Sequence, residues 1–247
     1  MYITNIFNTN SRETGIEGSE RFDWEMFFSG ESAKRILENM DVEQVVLRAR
    51  EHLQENRFRQ TLVFNQVMRK LFKGREPHEP AILELGAATG FLTRWLTEEY
   101  GGTGVLVDNS EASYRAYSEM NYDRKHNFTY VKSDIFQLEL ERQFDLVCSF
   151  GLVEHFMEKR AVIEVHKRYT KPGGIIVIII PMDTPLSRTF FELYPELNLG
   201  YRELLKEKEF KDMLSRHGLE ILRTQASSGY SYDILAALCE VHRGKMK

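Results

Sequence analysis

Positive charge is in short supply in this chain. It has 33 Lys and Arg against 37 Asp and Glu, a formal net charge of −4 over 247 residues. A sequence-independent hold on DNA or RNA needs clustered cations against the phosphates, so nucleic acid is not an expected partner. The basic stretch RGKMK at the C-terminus is too short to change that and reads as a solvated tail. Only two cysteines occur, Cys148 and Cys239. They build no disulfide framework, and both fall in apolar strand-like runs, which marks them as reduced core residues. Long apolar runs are missing as well. The longest, IIVIII at 175–180, falls far short of the roughly 20 residues that span a bilayer. The opening MYITNIFNTNSRETG has neither the basic nor the apolar region of a signal peptide. A cytoplasmic protein with no membrane association is expected. No carboxylate cluster has metal-ligand spacing, and a metal-free site is expected.

What is present is a patterned chain. Hydrophobic residues make up 42% of it, too many for a disordered chain and enough for a large α/β core. Residues 1–20 are polar and read as a mobile arm. Phe22, Trp24, Phe27 and Phe28 then crowd into a few positions. From Asp41, a plausible N-cap, Val42, Val45, Val46 and Ala49 recur at helical spacing, and RFRQTLVFNQVMRKLFK reads as a second helix. The stretch GREPHEP punctuates the chain as a linker. This divides it into an N-terminal arm and helical cap or lid, residues 1–75, and a core, residues 76–247.

In the core the period changes. AILEL, GVLVD, NFTYVK, FDLVCSF and GIIVIIIP are short, apolar and rich in β-branched residues, with helical segments between them. Such alternation signals a parallel sheet covered on both faces. RELLKEKEFKDMLSRHG is expected as a further helix, closed by Gly218. LEILRTQ and SYDILAALCEVH follow as two strands across a connection so short that they must be antiparallel. The expected fold class is α/β: a Rossmann-like seven-stranded sheet, its last strand antiparallel, with helices on both faces and a helical N-terminal cap.

The first strand leaves through the turn ILELGAATGF. Gly86 and Gly90 allow a sharp turn and a close approach to a ligand, and helix N–H groups follow from Phe91. The second strand ends in Asp108, about 20 residues beyond the turn, where a carboxylate can accept from ribose hydroxyls. The third is followed by Asp134 and Ile135, an acid with an apolar neighbour that suits an adenine. Three polar groups at the ends of successive strands point to a nucleoside. A dinucleotide needs G-x-G-x-x-G, whereas this turn lacks the middle glycine and carries Glu84 before it. That charge is unwelcome beside a pyrophosphate and suits a ligand with an ammonium and a sulfonium centre. No Tyr-x-x-x-Lys pair for hydride chemistry is present either.

ELGAATGF, VLVD, SDIF, FDLVCSFGLVEHF and TKPGG, in order across residues 78–247, resemble the motifs of the class I S-adenosylmethionine-dependent methyltransferase family. The resemblance implies S-adenosylmethionine as cofactor and S-adenosylhomocysteine as product. It assigns the methionine part of the cofactor to Glu84, Gly86, Ala88 and Gly90. Asp108 takes the ribose, Asn109 borders the adenine, Asp134 and Ile135 hold the base, and Phe150 and Gly151 form the floor. Ala88 departs from the glycine of many relatives and narrows the groove by one methyl group.

Methyl transfer asks for an aligned acceptor, exclusion of water and removal of a proton from an O–H or N–H⁺ acceptor. His155 is the one histidine at a strand's carboxyl end beside the crevice, and it is the expected catalytic base. Glu154 is expected as a solvent-side or orienting carboxylate. An Asn/Asp-Pro-Pro-Tyr/Phe run is absent, as is a Pro-Cys pair, which disfavours amino-group methylation of adenine or glutamine and C5 chemistry on cytosine. Trp24 and Phe28, as lid or as core, and Tyr194 and Tyr201, in the insert FFELYPELNLGYR, are the expected acceptor-binding residues. A small molecule or peptide end methylated at oxygen or nitrogen is the expected acceptor. A cofactor-binding partner without catalysis and an NAD-type oxidoreductase remain as alternatives.

Overall fold

The computed structural model describes residues 2–3, 25, 61–119, 127–195, 199–227 and 232–241. The helix expected from Asp41 and the aromatics Trp24 and Phe28 lie outside them. Along the chain the elements are strand β1 (Tyr2–Ile3), helix α1 (61–72), β2 (Ala81–Leu85), α2 (Phe91–Tyr100), β3 (Thr103–Asp108), α3 (Glu111–Glu119) and β4 (Phe128–Lys132). Then come β5 (Phe144–Phe150), a 3-10 turn (Val153–His155), α4 (Lys159–Tyr169), β6 (Thr170–Pro181), α5 (Pro185–Leu193), β7 (Glu203–Leu204), α6 (Glu207–Arg216), β8 (Leu219–Ala226) and β9 (Ile234–Val241).

The seven-stranded sheet has the order β4-β3-β2-β5-β6-β9-β8. Strands β4 to β6 pair in parallel, and β9 runs antiparallel to both β6 and β8. A single antiparallel strand thus enters between β6 and β8, as the short connection from β8 to β9 requires. Strand order reverses between β2 and β5. At that switch point the βα loops diverge to opposite sides of the sheet and leave a crevice.

Period-two alternation explains the two cores. In β2, Leu83 and Leu85 face one layer, joined by Val147, Ile176, Ile178 and residues of α4 and α6. Ile82 faces the other, where Phe64, Val67, Met68, Leu71 and Phe72 of α1 join Leu92, Trp95 and Leu96 of α2. Helix α1 belongs to the 1–75 segment expected as arm and cap, yet it packs directly on the sheet. The β-branched run of β6 is buried on both faces, and no described helix is long and apolar enough to cross a membrane. Both cysteines are buried and unbridged.

Two sequence expectations are corrected. The arm at 1–20 contributes a strand, since Tyr2–Ile3 pairs antiparallel with Glu203–Leu204. The helix expected over 202–218 begins only at Glu207, where the Glu209 carboxylate accepts from the N–H of Lys206 at 3.0 Å. Residues Arg202 to Leu205 are all buried. A surface helix buries one stripe only, so four consecutive buried positions are satisfied by extended backbone instead. Gly218, at φ 80°, follows the helix as expected.

Candidate active site

The turn after β2 is built from backbone that only small residues tolerate. Gly86 stands at φ 64°, and a Cβ there would lie 2.8 Å from Leu152 Cδ1. Gly90, at φ 76°, would place a Cβ 2.6 Å from Leu106 Cδ1. Between them Ala88 adopts φ 46°, a left-handed conformation that costs an L-residue about 1 kcal/mol. Two contacts hold it there: its N–H donates to Asp108 Oδ2 at 2.9 Å, and its carbonyl accepts from the Tyr130 hydroxyl at 3.1 Å.

Asp108, at the end of β3, also accepts from Ser110 N–H through Oδ1 at 2.9 Å. Each of its oxygens therefore spends one lone pair on the backbone and keeps a second for a ligand. Burial raises its pKa, and backbone hydrogen bonds from Ser110, Ala88 and Asn109 oppose that shift. The crevice is lined by Gly86, Asp108, Asn109, Ser133, Asp134, Ile135 and Leu152. Five of the expected cofactor residues thus share one cavity. Asp134 accepts from Phe136 N–H through Oδ1 at 2.8 Å, which fixes the carboxylate beside buried Ile135.

Glu84 shares a face of β2 with Ile82, the face that α2 covers. Its Oε2 accepts from Thr93 N–H at 2.8 Å, so the carboxylate meets the N-terminus of α2 from within. Only 3% of Glu84 is exposed, and burial pushes its pKa up to about 7. Phe150 stacks on Phe64 of α1 with centroids 5.7 Å apart, and Gly151 stands at φ 72° where β5 ends.

The 3-10 turn after β5 holds the expected base. His155 is buried, and its Nδ1 lies 2.7 Å from the Tyr201 carbonyl oxygen. That contact puts the proton on Nδ1 and makes Nε2 the basic nitrogen. Burial, with Arg202 and Lys159 nearby, holds its pKa well below the ordinary 6.5. The imidazole is therefore neutral at neutral pH. Of the two expectations for Glu154 the solvent-side one is corrected: it is 3% exposed, and burial raises its pKa to about 7.

Of the expected acceptor residues, Tyr201 is buried, its hydroxyl donating to Glu203 Oε2 at 3.3 Å. Tyr194 is exposed and packs on Phe190 with centroids 5.1 Å apart. Sequence reasoning missed Leu152, Tyr130 and the buried pair of Lys159 Nζ and Glu203 Oε2 at 2.6 Å. It also missed Glu25, whose carboxylate accepts from Glu111 N–H and Ala112 N–H at the start of α3. An acid at a helix N-terminus is a legible signal once the helix is known. The other three need the folded chain. The described residues contain no His/Cys/Asp/Glu cluster able to hold a metal.

Comparison with known proteins agrees with this geometry. Residues 83–178 match the family described as methyltransferase domain. The mitochondrial ubiquinone biosynthesis O-methyltransferase of Dictyostelium discoideum is 24% identical over 159 residues, 57% of this chain and 50% of its own. The malonyl-[acyl-carrier protein] O-methyltransferase of Priestia megaterium is 29% identical over 134 residues, 53% of this chain and 45% of its own. The chain spans about half the length of these curated relatives. Among solved structures, Burkholderia thailandensis 1,6-didemethyltoxoflavin-N1-methyltransferase has the same fold at a TM-score of 0.59 and 13% identity, covering 81% of this chain and 87% of that one. With its seven-stranded sheet, its glycine turn and its strand-end carboxylates, the chain has the fold of S-adenosylmethionine-dependent methyltransferases, and residues 83–178 match the methyltransferase domain.

Proposed function

We propose that the protein transfers a methyl group from S-adenosylmethionine to an oxygen or nitrogen of a small molecule or a peptide end. The observation that carries this reading is the convergence of Gly86, Asp108, Asp134, Ile135 and Leu152 on one crevice. The donor set fits the cofactor: two carboxylates suit hydroxyl and amino hydrogens, and Ile135 and Leu152 suit the faces of a base. The relatives' names include two O-methyltransferases and one N1-methyltransferase, which supports oxygen or nitrogen as the target.

When bound, the cofactor would supply an electrophilic methyl carbon on a sulfonium whose sulfur keeps the bonding electrons as a leaving group. Asp108 accepts the ribose hydroxyls, Asn109 borders the adenine, and Asp134 and Ile135 hold it. Gly86, Ala88 and Gly90 let the backbone approach the methionine part, Glu84 supplies negative charge beneath it, and Phe150 and Gly151 form the floor. His155 takes the acceptor's proton on Nε2 while the Tyr201 carbonyl keeps Nδ1 protonated. Such a base contributes roughly 10²–10⁴-fold. Tyr194 and Tyr201 border the acceptor, with Trp24 and Phe28 as the lid that excludes water. A cytoplasmic setting without nucleic acid or membrane completes the proposal.

Calorimetric titration with S-adenosylhomocysteine and with NAD tests it. Binding of the first alone is expected, and binding of NAD alone would leave an oxidoreductase. Binding of S-adenosylhomocysteine without transfer of labelled methyl to any of a broad set of hydroxyl and amine acceptors would favour a silent cofactor-binding partner.

A further inference from the structure

We propose that Glu154 holds the methyl acceptor by the acceptor's own hydrogen-bond donor, so that the nucleophile carries an O–H or N–H. This rests on the methyl-transfer reading and narrows it to alcohols, phenols and amines.

Glu154 is 3% exposed, and its Oε2 is buried with no hydrogen-bond partner. Native interiors pair almost all of their buried polar atoms, and an orphaned carboxylate oxygen is among the costliest exceptions. The other two buried acids near the crevice show how a structural carboxylate is satisfied here. Glu84 accepts from Thr93 N–H, and Asp108 accepts from Ala88 N–H and Ser110 N–H. Glu154 Oε2 has no such backbone donor.

Two cations, Arg202 and Lys159, face Glu154, and neither hydrogen-bonds its Oε2. Lys159 Nζ is bound to Glu203 Oε2 at 2.6 Å and to the Phe156 carbonyl. Glu154 sits beside the proposed base and the end of β5 through two contacts of its other oxygen. Its Oε1 lies 3.7 Å from His155 Nε2 and 3.6 Å from where a Cβ on Gly151 would stand. Gly151 ends β5, and the next residue, Leu152, is a wall of the crevice. A donor held by Glu154 is therefore held next to the nitrogen that takes its proton.

An ionised carboxylate only accepts hydrogen bonds. A nucleophile without a hydrogen, such as a tertiary amine or a thioether, gains nothing from it, and an acceptor carboxylate is repelled. Burial that raises the Glu154 pKa to about 7 adds that a donor entering the site also draws Glu154 into its charged form.

The test uses the full chain saturated with S-adenosylhomocysteine and three probes, phenol, methylamine and acetate, followed by saturation-transfer NMR. Phenol and methylamine are expected to bind the wild type. They should weaken about tenfold or more in Glu154→Met, and by less in Glu154→Gln, which keeps one acceptor oxygen. Acetate, repelled by ionised Glu154, should bind the wild type no better than either variant. Affinity for S-adenosylhomocysteine should stay within about threefold, while the melting temperature should fall in both variants, because buried Arg202 loses the charge that faces it. Equal probe binding by all three proteins, or no probe binding to the wild type, overturns the proposal. So does a fall in melting temperature with unchanged probe affinities, which marks Glu154 as structural. If S-adenosylhomocysteine itself fails to bind the wild type, the methyl-transfer reading falls and not the role of Glu154.

Discussion

The N–H of Ala88 donates to Oδ2 of Asp108 across 2.9 Å, tying the turn after β2 to the end of β3. One carboxylate thus shapes the glycine turn and faces the crevice that the turn opens. Binding and local architecture are coupled at this residue, and the expected effects of changing it follow.

Asp108→Ala should weaken S-adenosylhomocysteine by one to two decades, roughly 1.5–3 kcal/mol for lost charge-assisted bonds. It also frees the N–H groups of Ala88 and Ser110, so stability should fall by about 1–3 kcal/mol. Calorimetry and urea denaturation measure the two losses separately. An unchanged dissociation constant would move the ribose elsewhere.

Ala88→Gly removes a Cβ from a residue at φ 46°. Relief of left-handed strain, about 1 kcal/mol, is offset in part by the greater freedom of glycine in the unfolded chain. Stability should therefore change little, and cofactor affinity should hold or improve as the groove widens. A clear loss of affinity in calorimetry would mean that the methyl group touches the ligand productively.

Glu84, with a pKa of about 7 in the ligand-free fold, is largely protonated at pH 6. Bringing the ligand's ammonium group near it should drive that proton off. S-adenosylhomocysteine binding at pH 6 should then have an enthalpy that varies with the ionisation heat of the buffer, and Glu84→Gln should abolish the variation. A buffer-independent enthalpy in the wild type would place the ammonium away from Glu84.

His155 has its pKa held well below 6.5 by burial. The imidazole should stay neutral and basic on the acidic side of neutrality, so kcat/KM with a hydroxyl acceptor should hold down through pH 6.5 instead of halving there. His155→Ala and His155→Gln should both lower the rate roughly 10²–10⁴-fold, with cofactor affinity within about threefold. Recovery of most activity by glutamine would make the residue a positioning one.

His166 lies in the core, with Nε2 3.0 Å from Ser149 Oγ and Nδ1 2.8 Å from the Val162 carbonyl. Burial lowers its pKa from 6.5 to about 4. The unfolded chain therefore takes up the proton first as pH falls, and this residue removes stability between pH 6.5 and 4, at most about 3 kcal/mol. His166→Gln should flatten the fall in urea-denaturation midpoint over that window, and an unchanged slope would remove His166 as its source.

Much of this was legible before folding was considered, for a definite reason. A parallel sheet gathers the carboxyl ends of its strands on one side. Asp108 and Asp134, each just past a β-branched run, had therefore to meet the glycine turn. The short connection between the last two strands likewise required β9 to run antiparallel. Such features depend on residues close in sequence and on period-two alternation, which local chemistry determines.

Tertiary structure decided the rest, because it turns on contacts between distant residues. His155 and the Tyr201 carbonyl are 46 positions apart, and only their meeting fixes the tautomer. Glu154 is buried near Arg202, part of a segment at 202–205 that reads as helical but lies extended, since burying four consecutive side chains outweighs helical propensity. Leu152 became a wall of the crevice, and Tyr130 a latch on Ala88, through packing that no spacing announces. The sequence set which strand ends meet, and packing set which of their side chains are exposed, charged or in contact.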